Sequence, residues 1–409
     1  MKAMLVAAGL ALMLIARPGF CDTSQEALRA AAAAEKPRVV ETLKALVEFE
    51  TGFGNAPGLA GAEALLSARL RELGAAVESV SAQPSAGNAL IGRIEGKGSR
   101  AIMLMAHYDT VYPPGTLAKE PFRLDGSKAY GPGIADAKGG IAVILHALRM
   151  LRQGGFEGYK RVTVVFNPDE EIGSRGSGAL ITRLAREHDT VLSFEPTFAG
   201  HEAVLTGAAG TATGFLEVKG KAAHAGVEPQ NGRNALIELA HQLLQLDGLS
   251  SRERGVQMHW TLAQAGEKSN VIPDSAKATA DIRITDPKGV DWMRQQVEER
   301  IRNKRIADTV VSFRIDVGRP AFKGDERTQH LVQLAKSIYG EIGRELNVDP
   351  MTGGATDAGY AQAAGNAAVL ESMALPGAGF HAKQEWVDMN AIEPRLYLSA
   401  RMIIELSKP

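Results

Sequence analysis

The chain has 409 residues of which 45% are hydrophobic, a length that favours two domains over one and a composition that supports a sizeable core. Its 46 Lys plus Arg and 47 Asp plus Glu nearly cancel, so no overall field draws it to a polyanion and no nucleic-acid partner is expected. Cys21 is the only cysteine, which excludes an intrachain disulfide and leaves His, Asp and Glu as the strong ligands for any metal.

The chain opens with one Lys, an apolar run from Ala3 to Ala16, then Pro18 and Gly19 before a polar stretch. That run is shorter than the roughly 20 residues a membrane span needs, so it reads as a secretory signal over residues 1–21 with cleavage near Cys21. The mature protein is expected to be periplasmic or secreted, with no membrane attachment after cleavage. Apolar residues then recur at helical spacing from Lys36 to Phe49 and from Gly61 to Leu73. Strand-length apolar runs follow at Ala101 to Ala106, Val162 to Phe166 and Val191 to Phe194, with the helical segment IAVILHALRMLRQ between the first two. Buried strands alternating with helices predict an α/β domain with a mostly parallel sheet.

A different unit starts near Thr211: strand TGFLEVKG, helix Asn234 to Leu246, strands VQMHWTLAQA and AKATADIRI, helix Val290 to Arg302, strand TVVSFRIDV. This βαββαβ order is the ferredoxin-like arrangement. The α/β style returns after Pro320 with a helix from Glu326 to Ile342, the strand AAVLES and a helix from Ile392 to Leu406. The expected organisation is a catalytic domain in two parts, residues 22–209 and 321–409, interrupted by an inserted lid over residues 210–320.

Five segments carry chemistry. His107 and Asp109, after the strand AIMLMA, project to one side, so one can bind a metal while the other holds its imidazole. Asp136 sits in the glycine-rich stretch GPGIADAKGG ahead of a helix. Glu170 and Glu171 follow a strand and face apart, so one could bind a metal and the other address a water. Glu195 follows the strand VLSF, and His381 lies in a glycine-rich loop. Read singly, the first three segments have plainer accounts: a surface pair, a helix start capped by Asp136, a solvated acidic turn. Read together, four of the five sit at the carboxyl ends of strands or in the loops beside them, where open α/β sheets place their sites. Two His and several carboxylates without Cys suit a pair of zinc ions roughly 3.5 to 4 Å apart.

The ordered motifs HYDT, GPGIADAKGG, NPDEEIGS, SFEP, GKAAHAG, SNVIP, TGGATDA and GFHAK resemble those of the aminoacylase and succinyl-diaminopimelate desuccinylase family of co-catalytic dizinc metallopeptidases. Within that family they are similar to the glucarpidase-type glutamate carboxypeptidases, from about Lys36 to the C-terminus. The resemblance implies a zinc-exopeptidase-like catalytic domain with the inserted lid serving dimerisation. It implies two Zn2+ per subunit, with Asp136 shared, His107 and Glu195 completing one site, and Glu171 and His381 the other. Glu170 would be the general base and Asp109 would orient His107. His224 in the lid would reach the active site across a homodimer interface to stabilise the oxyanion. Arg283 and Asn270 would hold the carboxylates of a departing glutamate, and Gly354 would offer a backbone N–H. Thr356 or Asp357 is expected to cap the helix that follows.

The expected reaction is hydrolysis of the amide bond to a C-terminal glutamate in N-acyl-L-glutamates and folate-like substrates. Met351 and Ala355 depart from the glucarpidase pattern and leave the acyl side open. Two rivals stand beside this reading: a deacylase or aminoacylase of the same fold, and a non-catalytic exported solute-binding protein.

Overall fold

The computed structural model describes residues 23–286 and 288–409, so the expected signal and Cys21 lie outside the described residues. Helix α1 spans Gln25–Val47 and α2 spans Ala56–Glu72. Periodicity placed the start of α1 at Lys36, eleven residues late, because Pro37 breaks the pattern there. The alanine run before Pro37 has high helix propensity, and the Ser24 side chain accepts from Ala27 N at the true start.

Strands β1 (Ala76–Ser81), β2 (Asn88–Glu95) and β3 (Ala101–His107) follow, then α3 (Gly139–Gln153), β4 (Arg161–Asn167), α4 (Gly178–Ala185) and β5 (Thr190–Ser193). The inserted unit comprises β6 (Gly210–Lys219), α5 (Ala235–Leu246), β7 (Val256–Ala265), β8 (Ser275–Ile284), α6 (Lys288–Arg300) and β9 (Val310–Val317). The chain closes with α7 (Glu326–Glu341), β10 (Ala368–Leu370) and α8 (Ile392–Leu406).

The main sheet has the order β1-β2-β4-β3-β5-β10. Its last four strands are parallel, while β1 and β2 add an antiparallel edge. That edge escaped the sequence reading because exposed polar residues punctuate β1 and Gly92 interrupts β2. β3 is buried at every position, which is why it reads as an unbroken apolar run. Helices α1, α3 and α8 cover one face, and α4 with the short helix Ala358–Gln362 covers the other.

The inserted sheet has the order β7-β8-β6-β9 with every neighbouring pair antiparallel, the ferredoxin-like topology. Strand alternation turns Ala276, Ala278, Ala280, Ile282 and Ile284 of β8 toward α5 and α6, so Arg283 takes the opposite face. No helix among the described residues is long and apolar enough to cross a membrane.

Candidate metal centre and active site

Because β3, β4 and β5 run parallel, their carboxyl ends meet at one edge: His107 lies opposite Asn167, and Met105 opposite Ser193. The segments after them bring distant residues together. His107 Nε2 is 3.0 Å from Asp136 Oδ1 and 3.6 Å from Glu195 Oε2. The other oxygen of Asp136 is 3.2 Å from His381 Nε2, and that nitrogen is 3.2 Å from Glu171 Oε2. One carboxylate therefore stands between two imidazoles, each with a further carboxylate beside it. Ligand atoms of His107, Asp136 and Glu171 lie within 4.8 Å of one another.

These carboxylates carry the electrostatic signature of groups that need a cation. Burial pushes Glu195 up to about 8, against the pull of His107, and burial likewise raises Glu171 against His381. Burial opposes the charge on His107 as well, yet Glu195, Asp109 and Asp136 hold it well above its ordinary value. Asp136 and Glu171 push His381 up to about 10. Burial alone would raise Asp136, but the two imidazoles hold it well below the carboxylate range. A divalent cation beside these oxygens and ring nitrogens would stabilise the ionised acids and the neutral imidazoles together, so the donor set fits zinc.

The supporting residues are specific. Asp109 lies 3.3 Å from His107 Nδ1, which also sits 3.1 Å from the Asp109 carbonyl. The same carboxylate accepts from Glu170 N at 3.1 Å and Glu171 N at 3.0 Å, fixing the turn that carries both glutamates. That turn, Glu170–Ile172, is a 3-10 helix that begins three residues after the end of β4, so the glutamates diverge through a turn rather than through strand alternation. Glu171 faces His381, while Glu170 faces Arg319, whose Nη1 is 2.6 Å from Glu170 Oε1. Burial raises Glu170 well above the ordinary carboxylate value, with Arg319 opposing.

Asp136 does not cap α3. It sits in a kinked turn over Ile134–Lys138 that Gly133 enters at φ 68°, where a Cβ would lie 2.2 Å from Thr110 Cγ2. Glu385 holds this turn by accepting from Gly133 N and Ala135 N at 2.8 Å and from Asp136 N at 3.0 Å. Asp357 precedes the helix Ala358–Gln362 but does not cap it with its side chain. Its carboxylate is drawn inward instead, to Asn167 Nδ2 at 2.8 Å and to Ser174 Oγ.

Glu385, Arg319, Asp357 and Glu371 are buried participants that sequence reasoning missed or misassigned. Glu371 accepts from Glu195 N at 3.4 Å and so supports the Glu195 loop. Glu385, four residues past His381, was the most findable: a lone acid beside a motif histidine. Nothing local marks Arg319.

The lid residues stand apart. Among the described residues, His224 accepts from Gly226 N and Val227 N at 3.2 Å and has no bond to the cluster. Arg283 donates to Asp281 at 2.9 Å, and Asn270 is exposed, its carbonyl accepting from Ala225 N. Gly354 accepts from Ala209 N at 2.9 Å through its carbonyl, while its own N–H donates to Thr352 Oγ1.

The sequence profile of Peptidase family M20/M25/M40 matches residues 103–405. The chain is 44% identical over 403 residues to carboxypeptidase G2 of Pseudomonas sp. strain RS-16, covering 98% of this chain and 97% of that protein. It is 30% identical over 331 residues to a succinyl-diaminopimelate desuccinylase of Methylorubrum populi, covering 74% of this chain and 83% of the other. Among solved structures, aminopeptidase PepT of Bacillus cereus superposes with a TM-score of 0.76 at 20% identity, over 91% of this chain and 99% of that one. The M20 metallo-carboxypeptidase Sso-CP2 of Sulfolobus solfataricus gives 0.71 at 15%, over 90% and 99%, so these two likenesses are of fold. Two imidazoles on one shared carboxylate, at the carboxyl edge of this sheet and within residues so matched, lead to one conclusion: the chain belongs to peptidase family M20/M25/M40, a family of zinc-dependent metallopeptidases.

Proposed function

We propose that the protein is a dizinc carboxypeptidase that hydrolyses the amide bond to a C-terminal glutamate, with N-acyl-L-glutamates and folate-like compounds as substrates. The observation that carries the chemistry is the Asp136 carboxylate, 3.0 Å from His107 and 3.2 Å from His381, with Glu170 and Glu171 on one adjoining turn. The substrate class is supported by the near full-length identity to carboxypeptidase G2.

His107 and Glu195 would hold one zinc, Glu171 and His381 the other, and Asp136 both. Bound zinc supplies Lewis acidity toward the scissile carbonyl and toward water. Glu170 takes a proton from the attacking water and returns one to the leaving amine. Asp109 acts from behind, holding His107 and the Glu170–Glu171 turn in register. His224 steadies the developing oxyanion, and Arg283 with Asn270 grips the departing glutamate, with Gly354 lining the approach.

Residues 22–209 and 321–409 form the catalytic domain and residues 210–320 the lid and dimerisation domain. The outer face of α5 supports that dimer: Leu236, Ile237 and Leu244 are exposed there, Leu244 at 79%. The partner would bring its His224 to this site. Residues 1–21 are the export signal, which gives a periplasmic or secreted enzyme.

The test is a panel of folate, N-acyl-glutamates and neutral N-acyl amino acids offered to the zinc-loaded protein and to Arg283→Ala. Glutamate substrates should lead, and their advantage over neutral ones should shrink roughly 10- to 100-fold in the variant, the worth of a charge-assisted pair. Unchanged relative rates would sink the glutamate assignment and leave a general deacylase.

A further inference from the structure

The chain crosses between the two units twice, near residues 209–211 and 318–321, and the crossings are bound to each other. Thr211 N donates to Arg319 O at 2.9 Å, Gly318 N donates to Thr211 O at 2.9 Å, and Arg319 N donates to Thr211 Oγ1 at 3.2 Å. A Cβ on Gly210 would meet Ala321 N at 2.6 Å, so the two segments approach this closely only because residue 210 is glycine. Any rotation of the inserted unit about these crossings turns the Arg319 backbone with it.

The Arg319 side chain leaves this hinge and runs into the catalytic domain, where the residue is 5% exposed. Nη1 is 2.6 Å from Glu170 Oε1 and donates to Ala355 O at 2.6 Å, and Nη2 donates to the Glu170 carbonyl. One guanidinium thus grips both the carboxylate and the backbone of the same residue. Among the described residues its Nε–H is buried without a hydrogen-bond partner, 3.5 Å from Asp357 Oδ1, and Asp357 is itself tied to Asn167 and Ser174. The fork therefore lies between two carboxylates, ion-paired to one through a single nitrogen and 3.5 Å from the other. A planar fork transmits such a displacement where a flexible ammonium would absorb it.

We propose that Arg319 is a positioning residue that sets the Glu170 carboxylate and ties it to the hinge, so that the base takes its working orientation according to the placement of the lid. The proposal rests on the assignment of Glu170 as the base. A merely structural ion pair would occupy the same place, so the two must be separated by measurement.

Arg319→Met and Arg319→Lys are made in the full chain, loaded with zinc and assayed with folate, alone and combined with Glu170→Gln. Arg319→Met should lower kcat about 100-fold, the usual effect of misplacing a reacting group. KM should change less than about 3-fold, zinc content should hold, and Arg319→Lys should recover part of the loss. In the Glu170→Gln background Arg319→Met should cost nothing further, because its effect passes through that carboxylate. Losses that multiply, or that track zinc content, overturn the proposal. Should Arg319→Met fail to fold, Arg319→Lys decides: wild-type kcat overturns the idea. A crystal structure of Arg319→Lys gives a readout free of substrate choice, since an undisplaced Glu170 carboxylate also overturns it. If the wild type ignores folate and N-acyl-glutamates while Glu170 is displaced in that crystal, the substrate assignment fails and the role of Arg319 stands.

Discussion

The edge of the main sheet and the open face of the inserted sheet are built on opposite principles. At the sheet edge every candidate ligand already touches another, His107 and Asp136 at 3.0 Å and His381 and Glu171 at 3.2 Å, inside a frame of buried supports such as Glu385 and Asp109. On the lid, Arg283 binds its neighbour Asp281, Asn270 is exposed, and His224 is exposed with its ring nitrogen turned to its own loop. One region is assembled by folding. The other presents exposed polar groups held by their own strand or loop.

The contrast can be broken most sharply at Glu170. Replacing it with Gln should lower kcat by about 10²- to 10⁴-fold while zinc content stays at the wild-type level, because the carboxylate pairs with Arg319 rather than with the clustered imidazoles. A matching loss of zinc would place it among the ligands instead.

Next in size is His224→Ala, expected to lower kcat by about 10²- to 10³-fold as the loss of one oxyanion donor does. Its partner test mixes His224→Ala with Glu170→Gln subunits. If the histidine serves across the interface, each mixed dimer regains one complete site and activity returns to about a quarter of wild type at random mixing. No recovery on mixing would confine His224 to its own chain and dissolve the contrast drawn above.

The smallest effect lies behind the sheet. Glu35 is buried and bonds His146 Nδ1 at 2.7 Å, Arg38 at 2.8 Å and Arg149 at 3.2 Å. Burial alone would raise its carboxyl, but His146 and the arginines outweigh burial and hold it below 4.5. Burial holds His146 below 6.5, against the pull of Glu35. Both folded values are depressed, so both contributions to stability are complete above the unfolded values and are lost on acidification. The histidine contribution goes first, below about pH 6.5, and the glutamate contribution follows below about pH 4.5. The His146 contribution to Tm should therefore fall between pH 7 and pH 5, and His146→Gln should remove that part of the pH dependence without changing turnover at pH 7. An identical slope in the variant would remove His146 as the source.

Much of this was legible along the chain. Apolar strands buried on both faces announce themselves by composition, so β3, β4 and β5 and the residues just beyond them could be placed without coordinates. The βαββαβ order of the inserted unit was equally readable, because alternation in β8 separates its core side from its open side.

What sequence could not reach were contacts whose partners lie far apart and share no period. Arg319 closes on Glu170 from 149 positions away, and Glu385 takes the backbone of the Asp136 turn from 249 positions away. Asp357, read with Thr356 as a candidate helix cap, was captured by Asn167 and Ser174 instead, since a buried carboxylate must find hydrogen-bond donors. The sequence determined by itself the strands, the helices, the inserted topology and the residue types offered at each strand end, because these follow from local periodicity and side-chain chemistry. Only the tertiary structure decided which carboxylates face the imidazoles and which faces the hinge arginine, because burial without water forces each charged group to find a partner in space rather than in sequence.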